Sequence, residues 1–166
     1  MLKLFIATTA IALCTACPTF AQSPTQIGQF KAWGAYSYQS KDHTICYALT
    51  VPVSQQPTNV DHGDNFFMIT QIPGDDTGLE PQLKAGYNLN ETKRVVVTVE
   101  GRKFYMMSAG SRAWVENEAD EPQLLALLRS QQKMSVDSVS ARGTNTHYRY
   151  SLLGVSAALK AVSMCK

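Results

Sequence analysis

The chain has 166 residues, 45% hydrophobic and 17% charged, with a formal charge of +2. That size and mixture suit a single globular domain able to bury a real core, not a disordered or fibrous chain. Acidic and basic residues are interspersed, with no basic stripe carrying interleaved aromatics, so the chain lacks the electrostatic footprint of a nucleic-acid binder.

The first 21 residues, MLKLFIATTAIALCTACPTFA, read as an export leader. Lys3 supplies a basic start, Leu4 to Ala16 an apolar run, and Pro18 breaks it. Thr19 and Ala21 put small residues where a signal peptidase inspects the chain, which sets the expected cut between Ala21 and Gln22. The run is too short for a permanent membrane helix, which needs about 20 residues. Two rivals stand beside this reading. One is a retained N-terminal anchor. The other is a lipoprotein signal with Cys17 as the lipidated residue, which Ala16 fits and Cys14 does not. Residues 22–166 are then expected to be one domain, periplasmic or secreted, with no transmembrane segment.

After a polar lead-in from Gln22 to Gln29, the texture becomes that of strands. Phe30, Trp33, Tyr36 and Tyr38 precede a loop at Ser40–His43. Ile45 to Val53 alternates weakly, and Asn65 to Ile72 is an apolar run stopped by PGDDTG. The clearest sheet signal is RVVVTVE followed by Gly101 and RKFYMMS, two β-prone runs that read as a hairpin about Glu100-Gly101-Arg102. Ala113-Trp114-Val115 is a further short strand. Helices are expected near 121–131, with Pro122 in the first turn and Leu124, Leu127 and Leu128 on one face, and near 154–164, with Val155, Ala158, Leu159 and Val162 on one face. Met134–Ser140 and Thr146–Leu153 read as two strands about a turn at Arg142-Gly143. Turns every 8–12 residues are the spacing of a sandwich or barrel, so the expected fold is mainly β: an antiparallel β-sandwich-like domain with two short packed helices.

Cleavage removes Cys14 and Cys17 and leaves Cys46 and Cys165. Two lone cysteines in an oxidising compartment are expected to pair; the alternative is two buried free thiols. Neither sits in a CxxC pair, so nothing marks a catalytic thiol. His43, His62 and His147 lie far apart in the sequence and read as surface or loop residues, with no HExxH and no helical i, i+4 pair, so no metal site is expected. The acidic loops DHGD (61–64) and GDD (74–76) lack the ligand spacing of a calcium loop and read as solvated turns. GxSxG, phosphate-binding and dinucleotide glycine loops are all missing. Glu80, Glu91, Glu100 and Glu116 are candidates for a carboxylate pair only if folding brings two of them together. The aromatics, among them Trp33, Tyr36, Tyr47, Phe67, Phe104 and Trp114, are expected mostly to fill the core, with one or two left exposed for a partner or glycan. No catalytic residue and no cofactor is expected.

SARGTNTHYRYSLLGVSAALKAVSMC (140–165) resembles the closing signature of the invasion-associated locus B family: an RGT turn, a YSL.G step, an alanine-rich helix and a final cysteine. Ala32-Trp33, CYALTVP (46–52), Gly86-Tyr87, VTVEGRKF (97–104) and Ala113-Trp114 agree in order and spacing. One departure is that Asn145 to Arg149 lacks an acidic residue that family members often carry there. The resemblance implies an exported protein of a Gram-negative envelope, in some pathogens linked to host-cell entry, without established catalytic residues. The expected role is therefore non-enzymatic binding of a protein or glycan at the envelope or host surface. The alternatives are a small periplasmic enzyme acting on envelope glycans, or an inhibitor or chaperone of a periplasmic partner.

Overall fold

The computed structural model describes residues 23–40, 43–72, 74–75 and 78–165. The expected cut at Ala21–Gln22, with Cys14 and Cys17 before it, lies outside the described residues. Among the described residues the strands are β1 (Thr25–Phe30), β2 (Trp33–Ser40), β3 (His43–Thr50), β4 (Ser54–Gln56), β5 (Phe66–Gln71), β6 (Leu79–Lys84), β7 (Val95–Val99), β8 (Arg102–Ala109), β9 (Arg112–Val115), β10 (Lys133–Val139) and β11 (Asn145–Ser151). The helices are α1 (Glu121–Ser130) and α2 (Val155–Ser163). All strands join one sheet in the order β1-β2-β3-β5-β6-β9-β8-β7-β10-β11-β4, with neighbours antiparallel. This is the mainly antiparallel β domain with two packed helices that the turn spacing predicts.

The sheet rolls until its two ends meet. Although β2 and β11 lie near opposite ends of the strand order, the Trp33 indole Nε1–H donates to the Ser151 carbonyl at 3.0 Å and the Ala32 N–H to the Leu153 carbonyl at 3.2 Å. The short step from β3 to β4 crosses the same seam, where the Val53 N–H reaches the Arg149 carbonyl at 2.7 Å. Rolling encloses the inward row of each strand. Val95, Val97 and Val99 of β7 are buried, as are Phe104 and Met106 of β8, while the alternate Tyr105 and Met107 face out. The β7–β8 turn places Glu100 at φ 50° and Gly101 at φ 75°, the paired left-handed backbone that a two-residue hairpin needs.

Both helices pack against the rolled sheet. α1 buries Leu124, Leu125 and Leu128 and ends one residue short of the expected span, because Gln131 turns to extended backbone. α2 lies across β1, β2 and β3 and buries Val155, Ala158, Leu159, Ala161 and Val162. Its alanines allow the close approach. Gly154 before it has φ 100°, and a Cβ there would stand 1.8 Å from the Phe30 carbonyl oxygen, so only glycine fits. Just past α2, Cys165 is bonded to Cys46 of β3, with Cα atoms 6.2 Å apart and a sequence separation of 119. Among the described residues no helix is long and apolar enough to cross a membrane.

Candidate functional site

The sequence places hydroxyl-bearing residues at inward positions of β10 and β11. Val136 is followed two residues on by Ser138, and Thr146 by Tyr148 and Tyr150, all on the enclosed face. Ser138 and Thr146 are cross-strand partners. A polar group buried in this way must find hydrogen bonds. The Ser138 and Thr146 hydroxyls meet at 2.7 Å, and both reach the Tyr87 hydroxyl, at 3.1 and 2.7 Å. Tyr87 in turn is bonded to the Tyr148 hydroxyl at 2.9 Å, and Tyr148 to His62 Nδ1 at 2.8 Å.

His62 ends this relay. Its Nε2 lies 2.8 Å from the Pro57 carbonyl, which only accepts, so Nε2 carries the hydrogen. Nδ1 faces the Tyr148 hydroxyl, which donates to the Tyr87 oxygen. Burial, and after it the bond to Tyr87, pushes the Tyr148 hydroxyl far above the ordinary tyrosine range, so it stays protonated. Burial also raises Tyr150, whose hydroxyl is enclosed without a hydrogen-bond partner among the described residues. His62, expected from sequence on the surface or in a loop, does lie in a loop but is 8% exposed.

Backbone packing explains how a loop residue becomes buried. Asn65 Nδ2 donates to the His62 carbonyl at 2.8 Å, while its Oδ1 accepts from the Gly86 N–H at 3.2 Å. A Cβ on Gly86 would lie 2.4 Å from the His62 carbonyl oxygen, so the loop at 62–64 rests directly on the Gly86 backbone. On the far side the chain turns at Arg142-Gly143, where the Thr144 N–H donates to Ser140 Oγ at 3.0 Å and Gly143 has φ 87°. These pieces enclose a pocket of about 300 Å³ lined by Asp61, His62, Tyr87, Arg142, Thr144 and Thr146, among others. Two of the motifs that carry the family resemblance, Gly86-Tyr87 and the RGT turn at 142–144, therefore face one another.

The other sequence candidates lie elsewhere. His43 opens β3, and His147 on the outer face bonds Asp137 at 2.7 Å, both of that pair exposed. Among the described residues no three histidines, cysteines or acids gather as a metal site. Glu80 accepts from the Gln82 amide, Glu91 accepts from the Gly110 N–H at 2.7 Å, and Glu116 pairs with Arg94 at 2.8 Å. Glu100 lines a broader, open hollow of about 800 Å³ on the outer face, with Thr98, Lys133, Ser135, His147 and Arg149, into which no buried polar side chain projects. Asp61 holds its own turn by accepting from the Gly63 N–H at 2.8 Å. Trp33, Phe67 and Phe104 fill the core, whereas Tyr38 and Tyr105 are exposed.

Fold and site define a disulfide-closed antiparallel β domain with one polar pocket built on a buried hydroxyl relay. The family model described as invasion associated locus B (IalB) protein matches residues 33–163, and the chain belongs to that family. Its fold is similar to the crystal structure of invasion associated protein B from Bartonella henselae, with a TM-score of 0.59 and 13% identity, covering 83% of this chain and 95% of that one. No curated protein matches the chain.

Proposed function

We propose that this chain is a non-enzymatic binding protein working outside the cytoplasm, in the periplasm or after secretion. Its partner is a protein or glycan of the envelope or host surface, and the pocket at Tyr87 and Arg142 is the contact site. One observation carries the reading: segments from residues 61–63, 86–87 and 142–146 converge on a single pocket whose wall is fixed by buried hydrogen bonds. Such pre-organisation favours binding by reducing the ordering needed on contact. The leader and the Cys46–Cys165 bridge support an oxidising compartment. Hydrolysis of envelope glycans would need two carboxylates facing each other about 5–9 Å apart. Glu91 and Glu116 instead hold a turn and an ion pair and Glu100 lies in the β7–β8 turn, while Glu80 stands beside Glu121, whose carboxyl pKa is raised by burial and then by Glu80 and Glu118. The test is retention of the oxidised protein on envelope preparations and host-cell membranes. Saturable retention that falls on Arg142→Ala supports the reading; turnover of envelope glycan by the wild type would overturn it.

A further inference from the structure

We infer that the pocket receives one neutral sugar residue of a glycan chain, held between Asp61 and Arg142 with its ring against Tyr87. The inference rests on the proposed binding role and names the ligand of that site. It follows from which polar groups the fold leaves unoccupied. Every hydroxyl of the relay has its partners inside the protein: Tyr148 lies against His62 and donates to Tyr87, and Tyr87, Ser138 and Thr146 bond one another. The relay therefore fixes the half-buried Tyr87 ring beside the pocket instead of offering its hydroxyl to a ligand.

What remains free is at the rim. Two charged side chains line the pocket, Asp61 and Arg142, of opposite sign. No ion pair joins them among the described residues, and Arg142 makes no other side-chain hydrogen bond there. Asp61 uses one carboxylate oxygen on the Gly63 N–H and leaves the other open. The Thr144 hydroxyl, half-buried in the same wall, is also uncommitted. A pocket lined by charges of one sign selects an ion of the other sign. Opposite charges on one rim that do not pair with each other suit a neutral molecule rich in groups that both donate and accept, which describes the hydroxyls of a sugar. A planar carboxylate and a planar guanidinium can each take two neighbouring hydroxyls. The Tyr87 ring offers an apolar surface to the C–H face of the sugar. A volume of about 300 Å³ is at the small end of ligand pockets, the scale of one ring and not of a long chain.

The test is an amide NMR titration of the disulfide-bonded protein with the methyl glycosides of glucose, galactose, mannose and N-acetylglucosamine. Glycine and inorganic phosphate serve as zwitterion and anion probes. We expect saturable shifts at Gly63, Gly86, Tyr87, Arg142 and Thr144 with at least one glycoside, with Kd on the order of 1 mM. Arg142→Ala should weaken binding about ten-fold without moving Tm, since this exposed side chain holds nothing in the fold. Tyr87→Phe, which keeps the ring and releases its anchor, should weaken it less. Shifts with glycine or phosphate but with no glycoside would overturn the sugar and leave the pocket a binding site. Silence with every probe, while Arg142→Ala still abolishes retention on envelopes, would do the same. Silence combined with retention that neither variant alters would overturn both the sugar and the binding role of the pocket.

Discussion

Replacing Cys46 and Cys165 together by alanine should remove a large share of the stability. The bridge closes a loop of 119 residues and ties the third strand to the end of the last helix. Loop-closure entropy for that length corresponds to about 5 kcal/mol at 25 °C. Cys46 is 4% exposed within the core, so trimming its sulfur adds about 1 kcal/mol for the space left. Whole domains are stable by only about 5–15 kcal/mol. At this chain length each kcal/mol moves Tm by about 2–4 °C, so a fall of about 10–20 °C is expected. Urea unfolding followed by circular dichroism, on oxidised wild type, reduced wild type and the double variant, measures it. Reduction alone should reproduce the loss to within about 1 kcal/mol, because it opens the loop without leaving the cavity. A double variant whose urea midpoint equals that of the oxidised wild type would refute the reasoning. So would labelling of both thiols in unfolded, unreduced protein.

Gly154→Ala should destabilise by about 3 kcal/mol or more, read as a lowered urea midpoint, since it adds a backbone clash with Phe30 to a left-handed φ. Tyr148→Phe strands His62 Nδ1 and removes one of the bonds to the Tyr87 hydroxyl, and should lose about 1–3 kcal/mol in the same assay, whereas Tyr150→Phe, which removes a buried hydroxyl without a partner among the described residues, should be neutral or stabilising by about 1 kcal/mol. The folded state raises the pKa of Tyr47, Tyr148 and Tyr150 above 10.0, so the stability they contribute is complete below pH 10.0 and is lost as pH rises beyond it. Urea midpoints should therefore hold up to about pH 10 and fall as pH rises beyond it, and Tyr150→Phe should flatten that fall.

Local signals in the sequence carried the hairpin and the helices. The alternating valines of β7, the Glu100-Gly101 turn, Pro122 at the start of α1 and the alanines of α2 act within a few residues of themselves, so pattern alone locates them. β6 was illegible for the opposite reason. LEPQLK holds a proline and three polar residues, and it is a strand only because β5 and β9 flank it. Pro81 is tolerated because β9 pairs with Gln82 to Lys84 and stops short of it, leaving no neighbour on that side for the missing N–H. The pocket was half legible. Gly86-Tyr87 and the RGT turn carried the family resemblance, but their meeting depends on strand pairings distant in sequence. His62 sat in a polar loop, and its burial follows from Asn65 and the bare Gly86 backbone, which no local pattern reveals. Ser138 and Thr146 did leave a trace: hydroxyls at inward positions of otherwise apolar strands mark a place where the core must be wired with hydrogen bonds.

The binding role of the pocket is tested most directly by retention of the oxidised protein on bacterial envelopes and host-cell membranes, wild type against Arg142→Ala, with Tm recorded for both. We expect saturable retention of the wild type and at least about a ten-fold loss for the variant at unchanged Tm. Retention that is equal for the two, or missing for the wild type on every surface, would contradict it.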